Sequence, residues 1–315
     1  MPEYRLEPTK KEIVVVASKR AKRPRIFGRK AAKKACPFCP GGEHLTPPTT
    51  FALPAEKNWK TRCFRNAFPI FEPRGKFSAP SPSKLFWKAP GFGEHEVIVE
   101  TPEHGKLFQD LDEKQLMLVF LSYKNRFREL GKRRGIKCVF LFKNHGQAGG
   151  ASIDHEHAQI VSLPFVPPVI QKEIDFSEAF WRKNKKCFFC EIKKFEKAIL
   201  FENSHFVAVR PSFARFPYEF WLVSKRCCES LLDFSPGEAK LFMNSLAECV
   251  RKAFNVSKDY NILFHNSPAA GQGGLHFHCE VIPRTNVWAG LELGTGIIVD
   301  SRSEREALQA LSGRK

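Results

Sequence analysis

No apolar run in this chain of 315 residues approaches the roughly 20 that a membrane-crossing helix requires, and the longest candidates, such as Ile13 to Ala17, are strand-sized. A secretory leader is missing too. The first residues are basic but interrupted by Glu3, Glu7 and Glu12, and neither a long apolar stretch nor a small-residue cleavage site follows. Both absences point to a cytoplasmic chain with no membrane partner. Disordered or fibrous composition is lacking as well, and 43% hydrophobic residues over this length suffice for two ordinary domains. Acidic residues are in short supply, 33 against 51 Lys and Arg, and up to Ala35 twelve basic residues stand against three acids. That balance favours polyanionic partners, nucleic acid or phosphorylated metabolites, and also fits a basic solvated surface with no special partner.

Cysteine is present in quantity. Four of the ten fall in two Cys-x-x-Cys pairs, Cys36-Pro-Phe-Cys39 and Cys187-Phe-Phe-Cys190, which in a large chain without a leader suits metal binding in a reducing compartment better than disulfides. Each pair opens one copy of a repeated series. In the first half Asp112, with Gln115 three residues on, is placed to cap a helix carrying Leu116, Phe120, Tyr123, Phe127 and Leu130 until Gly131. A strand over Ile136 to Phe142, a Gly-rich turn from Asn144 to Ser152 and the stretch His155-Glu-His157-Ala-Gln159 follow. In the second half Ser235, Pro236 and Glu238 start a helix that runs to about Ala253. A strand over Tyr260 to His265, a Gly-rich turn from Ser267 to Gly274 and the stretch His276-Phe-His278 repeat the order. The pattern indicates a duplicated α+β architecture with a boundary near residue 165 and a polar, Pro-rich linker from Leu163 to Lys186.

Two thiolates two residues apart need two further ligands to complete a tetrahedral zinc site. Cys36, Cys39, His104 and His155 form one candidate set, and Cys187, Cys190, Cys227 and His276 the other. From His104 to His155 is 51 residues and from Cys227 to His276 is 49, so the third ligand stands at a matching distance in each half. His44, His95, His145 and His205 receive no role. With His155 on metal, His157, two residues on along a predicted strand, stands free beside it, and a neutral imidazole there can attack an α-phosphorus to form a phosphoramidate. Gln159 lies one further step along, and Ser152 with the Gly149-Gly150 turn offers phosphate donors. Arg20 and Arg23 suit bidentate phosphate contact.

These residues, together with Arg65-Asn66-Ala-Phe-Pro69, His95 to His104 and Trp288-Ala-Gly-Leu-Glu292-Leu-Gly-Thr-Gly296, resemble the galactose-1-phosphate uridylyltransferases. That branch of the histidine triad superfamily is built from two fused triad-like domains, each an antiparallel sheet with helices packed on it, and the likeness covers nearly the whole chain. The resemblance implies that His157 carries the nucleotide and Gln159 stabilises it. It implies that Arg20, Arg23 and Asn66 contact the nucleotide, Asn144 and Ser152 the phosphate and leaving group, and Glu292 the sugar hydroxyls. It further implies exchange of UMP between UDP-glucose and galactose 1-phosphate, zinc on the first Cys/His set, and a homodimer. Some members hold iron in the second half through a Glu and three histidines, matched here by Glu173, His265, His276 and His278, whereas Cys187 and Cys190 resemble the variant with a second zinc.

One departure concerns Glu156, which stands where the family has Pro between the two histidines; Asp154 is also unusual. Related hydrolases resemble His-x-His-x-His, and Gln159 in the last place favours transfer. An ADP-glucose phosphorylase shares almost every residue named, and a duplicated zinc module binding nucleic acid accounts for charge and cysteines but not for Gln159 or Glu292.

Overall fold

The computed structural model describes residues 1–24, 36–80, 86–268 and 274–313. The Gly-rich turn expected over Ser267 to Gly274 therefore lies partly outside the described residues. Among the described residues, thirteen strands form one sheet of three strands and one of ten. In the first half the strands are β1 (Glu3–Leu6), β2 (Ile13–Val16), β3 (Thr49–Leu53), β4 (Thr61–Arg65), β5 (Lys88–Pro90), β6 (Glu94–Val99), β7 (Cys138–His145) and β8 (His157–Leu163). In the second they are β9 (Ile199–Glu202), β10 (Phe206–Val209), β11 (Phe220–Ser224), β12 (Tyr260–His265) and β13 (His278–Pro283).

The large sheet has the order β3-β4-β6-β8-β7-β12-β13-β11-β10-β9. Its two ends mirror each other about the β7–β12 junction, so β8 corresponds to β13, β6 to β11 and β7 to β12. All its pairings are antiparallel. The two halves thus repeat one strand arrangement and share one continuous sheet. Two long helices, α1 (Glu113–Gly131) and α4 (Pro236–Phe254), lie against one face of it. Asp112 caps α1 by accepting from the Gln115 N–H, and Ser235 with Glu238 forms a reciprocal capping box on α4, as their spacing indicates. The helices bury Phe120, Tyr123, Phe127, Phe242 and Leu246 against Ala158, Ile160 and Phe264 of the sheet and Phe277 just before β13. Strand alternation then turns His157 and Gln159 to the opposite face.

Two expectations are corrected. The stretch read as a linker from Leu163 to Lys186 contains α2 (Pro168–Asn184), whose start has Pro168 at N1 and whose inner side buries Ile170 and Ile174. Those two buried isoleucines outweighed the polar composition read as a connection. The strand expected over Ile136 to Phe142 runs instead from Cys138 to His145, so Asn144 ends a strand and does not begin a turn. Pairing with β12, invisible in local propensity, extends it. Three short helices, α3 (Ile192–Phe195), α5 (Gly290–Thr295) and α6 (Glu304–Leu311), complete the chain, and among the described residues no helix is long and apolar enough to cross a membrane.

Candidate active site and metal cages

In the Cys36-Pro-Phe-Cys39 turn the Cys39 N–H donates to the Cys36 carbonyl at 3.1 Å, which brings both sulfurs to one side. Gly42 closes the turn, where a Cβ would stand 2.5 Å from the Cys36 carbonyl oxygen. His155 Nδ1 lies 3.7 Å from each sulfur and 3.3 Å from His104 Nδ1, while Cys39 Sγ lies 3.7 Å from His104 Nδ1. A zinc tetrahedron with bonds of roughly 2.0–2.3 Å has edges of about these lengths. His155 Nε2–H donates to the Thr101 carbonyl at 2.8 Å, which leaves Nδ1 unprotonated toward the sulfurs.

The second cage repeats the design. Cys187 and Cys190 place their sulfurs 3.3 and 3.7 Å from His276 Nδ1, and Cys227 joins them. The far nitrogen of His276 lies 2.7 Å from Ser224 Oγ and 2.9 Å from the Ser224 carbonyl. With His276 in this cage, the set Glu173, His265, His276 and His278 is not brought together. Glu173, His265 and His278 cluster instead with Glu280, because the Nδ1 of His276 is turned to the Cys187 and Cys190 sulfurs.

His155 sits just before β8, outside the strand expected to hold it, and β8 begins at His157. The His157 ring is buried, and its Nδ1–H donates to the His155 carbonyl at 2.7 Å, which leaves the Nε2 lone pair for the cleft. Burial pushes its pKa down to about 4, so the ring is neutral at pH 7. Arg23, Asn66, Ser152 and Gln159 line the same cleft. Arg20 is anchored beside it, donating to the Phe68 carbonyl at 2.8 Å. Asn144 lines the adjoining hollow with His157, and Asn261 Nδ2 donates to its Oδ1 at 2.8 Å. Glu292 is the exception. It caps exposed α5 by accepting from the Ala289 N–H and does not line the cleft that holds His157.

Sequence reasoning passed over His95. The Ile70 N–H donates to its Nδ1 at 3.1 Å, so Nε2 carries the proton and donates to Gln159 Oε1 at 3.0 Å. That bond turns the Gln159 amide NH2 toward the cleft. Burial, with Arg20 nearby, pushes His95 down to about 3, which keeps this tautomer neutral. The available signal was alternation along β6: His95, Val97 and Val99 share a face, and Val97 pairs with Gln159.

The family model for the galactose-1-phosphate uridyl transferase N-terminal domain matches residues 1–167. The galactose-1-phosphate uridylyltransferase of Thermotoga maritima is 30% identical, over 99% of this chain and 98% of its own length. The ADP-glucose phosphorylase of Arabidopsis thaliana is 29% identical over 95% of this chain and 89% of its own. A crystal structure of an Arabidopsis thaliana ADP-glucose phosphorylase with bound ADP-glucose superposes with a TM-score of 0.79 at 27% identity, covering 99% of this chain and 98% of that one.

Proposed function

Because the chain belongs to the galactose-1-phosphate uridylyltransferase family, we propose that it exchanges UMP between UDP-glucose and galactose 1-phosphate through a uridylyl group carried on Nε2 of His157. The observation that carries this reading is the neutral imidazole of His157, outside the four-donor cage beside it and with its lone pair open to a cleft of phosphate donors. In the first half-reaction Nε2 attacks the α-phosphorus, the bond to the bridging oxygen breaks, and glucose 1-phosphate leaves. In the second, a phosphate oxygen of galactose 1-phosphate attacks that phosphorus and the P–N bond breaks, which regenerates the imidazole. Gln159, aimed by His95, donates to the oxygens on which charge develops. Arg20, Arg23 and Asn66 hold the nucleotide, and Asn144 and Ser152 the phosphate being transferred.

Zinc fits both Cys/His cages by donor type and spacing and would serve there as a structural cross-link. Iron, the alternative to zinc that the resemblance leaves open in the second half, has lost His276 from its proposed set. Glu292 lies outside the lining of this cleft, and in this reading a second copy in a homodimer brings it to the hexose. We place the enzyme in the cytoplasm, on its free thiols.

A second reading rests on the likeness to the Arabidopsis phosphorylase: the acceptor would be inorganic phosphate, which needs no sugar-binding carboxylate. The test supplies UDP-glucose or ADP-glucose with galactose 1-phosphate or phosphate. UDP-galactose and glucose 1-phosphate are the expected products. ADP formed from ADP-glucose and phosphate alone would overturn the first reading in favour of the second.

A further inference from the structure

Behind the sheet, on the face away from the cleft, Lys143 is buried and bonded to the carboxylates of both Glu100 and Glu156. His145 Nε2 lies 3.2 Å from Glu156, Tyr123 donates to Glu100, and the Glu100 N–H donates to the Glu156 carbonyl at 3.1 Å. The ammonium also lies 3.5 Å from the His157 carbonyl. Side chains from the end of β6, from β7 and from the residue leading into β8 are thus tied at one point.

The tie bears on the nucleophile through one peptide plane. The carbonyl that accepts from His157 Nδ1–H belongs to the His155–Glu156 peptide. Its direction sets the aim of the ring, and that direction turns with the backbone angle φ of Glu156. A proline, as in the family pattern, would fix this angle covalently. Here the Glu156 carboxylate is anchored at its far end instead. The second half shows that the fold does not demand such a cluster. By the matching registers Phe142 corresponds to Leu263 and His157 to His278, so Lys143 and Glu156 correspond to Phe264 and Phe277, both fully buried in an apolar core. Buried ion clusters are seldom more stabilising than apolar packing of the same volume, so a purely structural purpose explains the cluster poorly.

We propose that Glu156, held by Lys143 and Glu100, is a positioning residue that aims the His157 imidazole, doing by charge what a proline does by ring closure. The proposal rests on His157 being the nucleophile, and its test separates the two. Zinc-loaded wild type, E156Q and E156P are compared in single-turnover formation of the nucleotidyl-protein from UDP-glucose and from ADP-glucose. E156Q leaves Lys143 paired with Glu100. Its rate of adduct formation should fall about tenfold, with KM within about twofold and bound zinc unchanged, as expected for a misaimed group in an intact site. E156P loses the same carboxylate but regains a fixed φ, and its rate should return to within about threefold of wild type; Glu156 is not among the residues with positive φ. A wild-type rate in E156Q, or an E156P that is folded, zinc-loaded and as slow as E156Q, overturns the proposal. If E156P does not fold, the rate and KM of E156Q decide alone. Absence of any adduct in wild type would sink the nucleophile reading itself, which is a different result.

Discussion

His157 and His278 occupy corresponding places in the two halves, and they differ less in themselves than in what faces them. Each donates Nδ1–H to the carbonyl two residues back, at 2.7 and 3.0 Å, and burial pushes each down to about 4. Phe38 meets the first edge-on at 5.1 Å and Phe189 stacks on the second at 4.5 Å. Yet where the first half has Gln159 and Asn144, the matching registers give the second Glu280 and His265. An incoming phosphate meets amides and a guanidinium in one cleft. In the other it meets the Glu173 carboxylate beside Lys172 and a wall of Phe176, Phe188, Phe213 and Trp221, with Glu280 buried in the cluster behind. Duplication supplied two cages and two aimed imidazoles, and the charge of the neighbours decides which one suits phosphorus chemistry.

The hardest blow to this comparison is His157→Gly, which should lower nucleotidyl transfer at least about a thousandfold, whereas His278→Gln should leave folded protein within about threefold of wild type. Equal losses would erase the distinction. Lys143→Met comes next. It leaves two buried carboxylates facing each other where the second half has Phe264, Phe277 and Ser224, and should cost about 3–5 kcal/mol in denaturant unfolding, against little for E156Q. Giving the first half the second's acid, Gln159→Glu, should slow adduct formation about a hundredfold, since a donor becomes a like charge beside the phosphate. His95→Ala releases the Gln159 amide and should reduce kcat about tenfold with KM within twofold. The smallest effect is a null one: because the His157 pKa lies near 4, well under the ordinary 6.5, the base stays neutral as pH falls. Adduct formation should hold from about pH 8 to about 5 and decline below that. A decline centred near 6.5 would contradict the buried, neutral ring.

Much of this comparison was legible in the sequence because its signals are local. Helix caps at Asp112 and Ser235, the paired thiols and the two-residue steps from His155 to Gln159 all act over a few positions. Partners fixed by pairing were not legible. His95 supports Gln159 only because β6 lies beside β8, and Glu156 meets Lys143 only because β7 lies beside β8. His276 and His278 sit as close in sequence as His155 and His157, so no spacing argument alone could assign one to the cysteines and the other to Glu280. The helix from Pro168 to Asn184 was hidden by a polar composition that its few inward residues outweigh.

The central claim is that a nucleotide rides on one imidazole. Intact-mass measurement of zinc-loaded protein after exposure to UDP-glucose without acceptor, followed by peptide mapping under mildly alkaline conditions that preserve phosphoramidates, tests it most directly. The account requires a gain of one UMP on the peptide containing His157, absent in His157→Gly and removed by galactose 1-phosphate. An unmodified protein that still turns over the complete reaction, or a UMP found on His278, would contradict it.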